Sequence, residues 1–451
     1  MTALGDVVDE VPVDPARARV YAEGWQSWSP ATWYPVGAES RVPQEEWQHL
    51  MRFRSGTPLA PDALQAEGLL VVDPGTGEPA RLYAPQDPLT VPTVRATTQD
   101  GTLLVRATGP VAVSDHSAGG EAALQAFGDT YSARRQGLPL AEPPTVWCSW
   151  YHYFERVTAA DVVENLSAID QHALAVDVVQ IDDGWSPGLG EGLVPSPAFW
   201  SLPALVDAIR DSGRRAGLWL APFLVGTQTA LAREHPDWLV GPAGHNWGQD
   251  LVGLDLTHPG VQELLRDVLG RLAALGVDYL KLDFLYGGAL PGPRYTDVDE
   301  VTAYRIGLEL VREAVGPDVY LVGCGAPLLP SVGLVDAMRV SPDTFHEGAE
   351  DGSAGLRGLM PLAARAWMQG RLWVNDPDCV VARPSYRLRE RWARESGRFG
   401  GLASFSDRVS DLDDWGLATV GGLLAEGGSS APLSADRVRE GAALAQAEGS
   451  A

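Results

Sequence analysis

An α/β chain, a (β/α)8 barrel of the TIM type preceded by a small antiparallel β domain, is what this sequence predicts, on three observations. Residues 1–140 run in short β-rich pieces broken by turn signals. From residue 146 the pattern changes to short buried runs separated by helical stretches, eight times over roughly 260 residues, the span of one such barrel. The rival architecture, an open doubly wound sheet, lacks its phosphate loop: Gly188-Leu189-Gly190 leads into a proline-interrupted stretch and not into a helix.

The elements follow in chain order. Two β-rich pieces flank Asp73-Pro74-Gly75-Thr76-Gly77, and two more flank Gln99-Asp100-Gly101, a hairpin signal. Leu138-Pro139-Leu140-Ala141-Glu142-Pro143-Pro144 reads as a linker. The barrel strands are expected at 146–151, 176–182, 216–222, 277–284, 319–324, 337–341, 371–376 and 401–406. Thr158-Ala159-Ala160-Asp161 starts a helix running towards His172 in the manner of a capping box. Pro259 opens another after Thr257-His258, with apolar residues at three- and four-residue spacing over 260–275. Beyond Asp407 come two helical stretches joined by Gly427-Gly428-Ser429-Ser430. The expected domains are therefore 1–140 (β), 146–407 (barrel) and 408–451 (helical extension).

Composition narrows the function. The 451 residues carry Lys+Arg 34 against Asp+Glu 59, a net charge of −25 spread along the chain. Such a surface repels phosphate backbones and anionic lipid, so neither nucleic acid nor a membrane is an expected partner. Cys148, Cys324 and Cys379 make no disulfide framework, and the odd count argues for reduced thiols. Residues 1–10 are acidic where a signal peptide would be basic and then apolar, and no apolar run approaches membrane-spanning length. A cytoplasmic location is the expectation. The eight histidines include no His-x-His and no His-Glu-x-x-His. The single lysine, Lys281, lies in Tyr279-Leu280-Lys281-Leu282-Asp283-Phe284 and not in a Walker A loop. No metal and no cofactor are expected.

Active sites of such barrels sit at the carboxyl ends of the strands. Those ends read Trp150, Asp182-Asp183, Trp219, Asp283, Cys324, Asp343, Asn375-Asp376 and Ser406-Asp407, five of the eight with carboxylates. Acids collected around one mouth repel each other unless a ligand or basic groups separate them, which favours a functional site. Lys281 and Asp283 stand two apart on a strand and so share a face, with Leu280, Leu282 and Phe284 on the other. The ammonium would keep Asp283 ionised, as a nucleophile requires; the bland alternative is a buried ion pair. Trp150 and Trp219 could equally be core tryptophans and Cys324 an inert buried thiol. Asn375-Asp376 could shape the turn before Pro377, and Arg339 could pair with Asp376 or Asp378.

Five motifs then carry a resemblance: Gln180-Ile181-Asp182-Asp183-Gly184-Trp185, Gly217-Leu218-Trp219, Tyr279-Leu280-Lys281-Leu282-Asp283, Met338-Arg339-Val340-Ser341-Pro342-Asp343 and Trp373-Val374-Asn375-Asp376-Pro377-Asp378. In this order and at these separations, over about residues 146–407, the chain resembles glycoside hydrolase family 36, the retaining α-galactosidase clan. The resemblance implies an exo-acting hydrolase of terminal α-galactosyl residues, with a small carbohydrate as its partner molecule. Asp283 would attack the anomeric carbon, and Asp343 would protonate the leaving oxygen and then activate water. Asp182 and Asp183 would hold the sugar's 4- and 6-hydroxyls, Trp150 and Trp219 would wall the ring, and Lys281, Cys324 and Arg339 would contact the remaining hydroxyls.

Departures from the family pattern keep other readings open. Trp147-Cys148-Ser149-Trp150-Tyr151 is closer to the raffinose-synthase-like branch than to larger bacterial members, which admits a transglycosylase. Cys324-Gly325-Ala326-Pro327 replaces a Ser- and Gly-rich loop and would leave room near O2 for an N-acetylgalactosaminide. A sugar-binding barrel without catalysis is the non-enzymatic alternative. The oligomeric state, a homo-oligomer included, stays open.

Overall fold

The computed structural model describes residues 5–40, 46–60, 62–87, 89–133, 140–187, 195–199, 201–246, 248–345, 349–353 and 355–449. Residues 188–190 and the first two residues of the 138–144 linker, both singled out above, lie outside the described residues.

Nine short strands open the chain: β1 (Asp6–Pro12), β2 (Arg19–Ala22), β3 (Thr32–Pro35), β4 (Leu64–Glu67), β5 (Leu70–Asp73), β6 (Ala80–Ala84), β7 (Thr93–Gln99), β8 (Thr102–Ala107) and β9 (Ala112–His116). They form two antiparallel sheets, β1-β8-β7-β4 and β3-β2-β5-β6-β9. Both expected hairpins form, β5–β6 and β7–β8. In the latter, Asp100 and Gly101 have φ of 47° and 76°, the left-handed pair that a two-residue turn between twisted strands requires.

The period of two explains why the second sheet has so little polar surface. Val20, Leu70, Val72 and Tyr83 point into a core shared with Leu64, Val94, Leu103 and Val105 of the first sheet. Their neighbours Tyr21, Val71 and Leu82 point the opposite way, into the larger core that continues into the barrel. The small domain is thus cemented to the barrel by the second face of one sheet.

The barrel strands are β10 (Val146–Cys148), β11 (Val178–Ile181), β12 (Arg215–Leu220), and, after an excursion, β16 (Val277–Leu282), β17 (Tyr320–Gly323), β18 (Ala337–Arg339), β19 (Val374–Asp376) and β20 (Ser404–Phe405). All eight expected strands are present, shorter than the sequence pattern suggested, in the order β19-β18-β17-β16-β12-β11-β10-β20 with every pairing parallel. The ring closes between β19 and the residues leading into β20, where the amides of Gly401 and Leu402 donate to the carbonyl of Asn375 at 2.8 and 3.1 Å. Val146, Val178, Tyr279, Tyr320, Val322, Ala337 and Val374 fill the interior, and the rings of Tyr279 and Tyr320 stack at 5.7 Å.

Helix Ala159–Gln171 begins with the reciprocal Thr158–Asp161 capping box, and helix Pro259–Ala274 begins after His258. Helices Asp414–Glu426 and Ala435–Gly449 follow the last strand. The sequence reading missed the excursion between β12 and β16, a sheet of β13 (Leu224–Gly226), β14 (Leu239–Asn246) and β15 (Gln249–Leu254). No helix among the described residues is long and apolar enough to cross a membrane.

Candidate active site

A cavity of about 380 Å³ opens at the carboxyl ends of the barrel strands. Seven residues singled out from sequence line it: Trp150, Asp182, Asp183, Trp219, Lys281, Asp283 and Asp343. Of the five acidic strand ends, those of β11, β16 and β18 face the cavity. The other two are structural: Asp376 lies 3.5 Å from the Arg339 guanidinium, and Asp407 accepts from Arg383 at 3.0 Å.

Asp283 is held from three sides. The Trp219 indole N–H donates to its Oδ2 at 3.0 Å and the Phe284 amide to its Oδ1 at 2.8 Å. The Cys324 thiol also bonds to it. Burial and the charge of Asp343 push its pKa above the usual carboxylate range, against the pull of Lys281, Cys324 and Trp219. Trp219 is therefore neither plain core nor plain wall, because its ring faces the cavity while its N–H orients a carboxylate. Phe284 corrects an expectation. The strand ends at Leu282, and Phe284 adopts φ 52°, so its ring turns into the cavity and not toward the helices. A left-handed conformation costs a non-glycine residue about 1–3 kcal/mol, and here it delivers an amide to Asp283.

Asp343 sits at the more exposed side. Arg339 donates to its Oδ1 at 2.8 Å and reaches Asp378 at 2.8 Å with the other end of the fork. Tyr151 and the amide of Thr344 also donate to Asp378; burial raises the Asp378 pKa to about 6. Arg339 and Cys324, expected to contact sugar hydroxyls, are not among the residues that line the cavity. Arg339 is only 2% exposed, and its guanidinium faces Asp343, Asp376 and Asp378; Cys324, 0% exposed, bonds to Asp283.

The carboxylates after β11 divide the work unequally. Asp182 Oδ2 accepts from Lys281 at 2.9 Å, Gln180 at 2.6 Å and Cys148 at 3.4 Å. The main partner of Lys281 is thus Asp182 and not Asp283, as strand spacing alone had suggested; the two acids together hold its pKa well above the usual lysine value despite burial. Among the described residues, Asp183 Oδ1 accepts the Gly184 amide, at 2.8 Å, and no other donor. Burial and the neighbouring Asp182 charge raise its pKa to about 7.

The lining residues missed from sequence come largely from outside the barrel ends. Trp28, Met51 and Arg52 belong to the amino-terminal region, Asn246 ends β14, and Pro342 and Arg357 follow β18. A buried seam carries the first three inward. Arg365 and Glu23, each 0% exposed, pair at 2.7 Å, and Arg365 also donates to the carbonyls of Ser27 and Ser29 at 2.7 and 3.0 Å. The Ser27 amide donates to Ala326 at 3.1 Å, and Gln26 donates to the carbonyl of Met51. Residues 324–326, expected to leave room near O2, are buried under this seam, and a Cβ on Gly325 would stand 3.0 Å from the Trp28 ring. Among the described residues no group of three or more His, Cys, Asp or Glu side chains is arranged to hold a metal ion.

A parallel eight-stranded barrel with paired carboxylates, tryptophan walls and a lysine at its carboxyl-end mouth defines a glycoside hydrolase class of site. A family profile described as Melibiase matches residues 110–311. The probable α-galactosidase G of Aspergillus terreus is 27% identical over 212 residues, 41% of this chain and 28% of that protein. The α-galactosidase AgaA of Geobacillus stearothermophilus is 28% identical over 156 residues, 31% of this chain and 21% of that protein. These alignments span well under half of either curated relative. Among solved structures, the α-galactosidase TtGalA of Thermus thermophilus, in complex with p-nitrophenyl α-D-galactopyranoside, superposes with a TM-score of 0.74 at 28% identity, covering 93% of this chain and 91% of that one. The family 36 enzyme AgaA shares the fold at a TM-score of 0.62 and 15% identity, covering 92% of this chain and 61% of that one. The chain is thus similar, in part of its sequence and over most of its fold, to the melibiase-type α-galactosidases of glycoside hydrolase family 36.

Proposed function

We propose that the chain is a retaining, exo-acting α-galactosidase with Asp283 as nucleophile and Asp343 as acid and base. The observation that carries this reading is the asymmetric holding of the two acids over one cavity. Asp283 is buried and immobilised by two N–H donors, while Asp343, with a side chain 36% exposed, stands on the open side, gripped through one oxygen. In the first step an Asp283 oxygen bonds to the anomeric carbon, the bond to the leaving oxygen breaks, and Asp343 gives that oxygen its proton. In the second, Asp343 takes a proton from water, the water oxygen attacks the anomeric carbon, and the ester to Asp283 breaks. Two inversions leave the α configuration in place.

The sugar end of the cavity supports galactose. Asp183 has acceptor capacity left and Asp182 has little, so Asp183 is the residue that reads the axial 4-hydroxyl. An equatorial hydroxyl would leave that carboxylate unpaired, a cost of about 1–3 kcal/mol. Support also comes from TtGalA, whose solved complexes hold p-nitrophenyl α-D-galactopyranoside and stachyose. The test is turnover of p-nitrophenyl α-galactoside against the α-glucoside, with the first-formed sugar anomer followed by NMR. The galactoside should win by at least roughly tenfold in kcat/KM, and α-galactose should appear before β. Glucoside preference, or β-galactose first, would refute it. Transfer to an added sugar acceptor, seen as a disaccharide product in excess of free galactose, would reassign the chain as a transglycosylase.

A further inference from the structure

We propose that the leaving-group side of the cavity is built for an α-galactoside whose leaving group carries an oxyanion, bound by Arg52 and Arg357. The inference rests on the reading above, since it takes Asp343 as the mark of the leaving-group side.

Unspent donors collect on this side of the cavity. Nearly every arginine of the described residues that is not exposed has a carboxylate or carbonyl partner, as Arg339, Arg365 and Arg383 do. Arg52 and Arg357 are partly buried, line the cavity, and have neither a hydrogen bond nor an ion pair among the described residues. The chain has no shortage of acids that could have been placed beside them, with Asp+Glu 59 against Lys+Arg 34. A third donor joins the pair: the indole N–H of Trp28, another lining residue, is buried without an acceptor. Buried donors are normally satisfied, and each guanidinium offers five N–H groups and no acceptor. No described residue supplies these acceptors, and a ligand oxyanion in the cavity would.

The charges sort along the cavity in the same sense. Asp182, Asp183 and Asp283 line the part that holds the sugar, whereas Arg52 lies between two other lining charges, feeling Arg357 as a repulsion and Asp343 as an attraction. Burial and the Arg357 charge together lower the Arg52 pKa to about 10, so Arg52 stays charged at neutral pH and the guanidinium–guanidinium repulsion is left uncompensated. An oxyanion between them removes that repulsion and gains charge-assisted hydrogen bonds. The backbone beneath Arg52 is fixed, since its carbonyl accepts from the Ser29 hydroxyl in the seam.

Aryl α-galactosides carrying a ring phosphate, sulfate or carboxylate, and their neutral carboxamide counterpart, separate these ideas. Wild type should favour an anionic substrate over the carboxamide by at least ~10-fold in kcat/KM, with the advantage shrinking in 1 M salt; the three anions rank the sources. Arg52→Gln and Arg357→Gln should each cut the anionic-to-neutral ratio, and the double variant should bring it within about threefold of unity. Binding of phenyl phosphate, measured by calorimetry on wild type and the double variant, gives a readout independent of turnover. Cleavage of the carboxamide with no anion advantage and no phenyl phosphate binding would overturn the anion site and leave the galactosidase reading intact. Binding of phenyl phosphate that is lost in the double variant, without cleavage of any α-galactoside, would support the anion site and sink the galactosidase reading.

Discussion

Asp343 and Asp183 carry opposite demands at the residue scale. If Asp343 protonates the departing oxygen, Asp343→Ala should slow substrates with poor leaving groups far more than p-nitrophenyl α-galactoside, which leaves without help. Azide should then restore part of the aryl rate and give the α-azide. Equal damage to all substrates, with no azide product, would make Asp343 structural. Asp183 gives a pH signature. Its pKa is raised to about 7 in the free protein, and accepting a sugar hydroxyl favours its ionised form, so binding must release a proton below that pH. Galactose affinity should therefore rise between pH 5.5 and pH 8, and Asp183→Asn should flatten the rise. Calorimetry at the two pH values decides it, and a slope surviving in the variant would assign the proton elsewhere. The carboxylates of the cavity were legible in the sequence as acids at the ends of buried strands, although two of the five such ends, Asp376 and Asp407, face arginines instead. What spacing could not tell was which acid Lys281 serves, because Asp182 reaches Lys281 from β11, across the intervening β12. Nor does alternation foresee Phe284, whose φ of 52° reverses its direction once the strand has ended.

The elements were predicted by local chemistry where local chemistry decides them. The Gln99–Gly101 turn, the Thr158 cap and the eight buried runs each needed only a few neighbouring residues. The β13–β15 excursion was missed because its strands pack by long-range pairing and carry weak alternation, with Gly and Pro inside β14. Helix Ala435–Gly449 shows how tightly an element can be keyed. It crosses helix Leu359–Ala364 at Gly441, where a Cβ would stand 2.4 Å from the carbonyl oxygen of Ala363. Gly441→Leu should force the two helices apart and cost about 1–3 kcal/mol in denaturant unfolding. An unchanged unfolding midpoint would mean that the crossing tolerates bulk.

On the scale of the whole molecule, the small β domain completes the cavity. Trp28, Met51 and Arg52 reach the barrel mouth because the Arg365–Glu23 pair and its carbonyl contacts clamp residues 26–29 to the β17 end. No periodicity announces such a contribution, since residues 24–30 are a loop whose position depends on a partner more than 300 positions away in the chain. Glu23→Gln leaves the Arg365 guanidinium buried without its counter-charge, and losing one partner of such a pair costs about 3–5 kcal/mol. Beyond lower stability, KM for aryl galactosides should rise more than kcat falls, because the acids stay on barrel strands while the wall moves. Loss of stability with KM unchanged would confine the domain to a structural role.

The central claim is that Asp283 becomes covalently bonded to the sugar. A 2-deoxy-2,2-difluoro-α-galactoside with an activated leaving group slows breakdown of such an ester enough for mass spectrometry of the digested protein. The account predicts one added difluorogalactosyl mass, carried by the peptide that contains Asp283 and absent in Asp283→Asn. A label on another carboxylate, or rapid release of the leaving group with no labelled peptide, would contradict it.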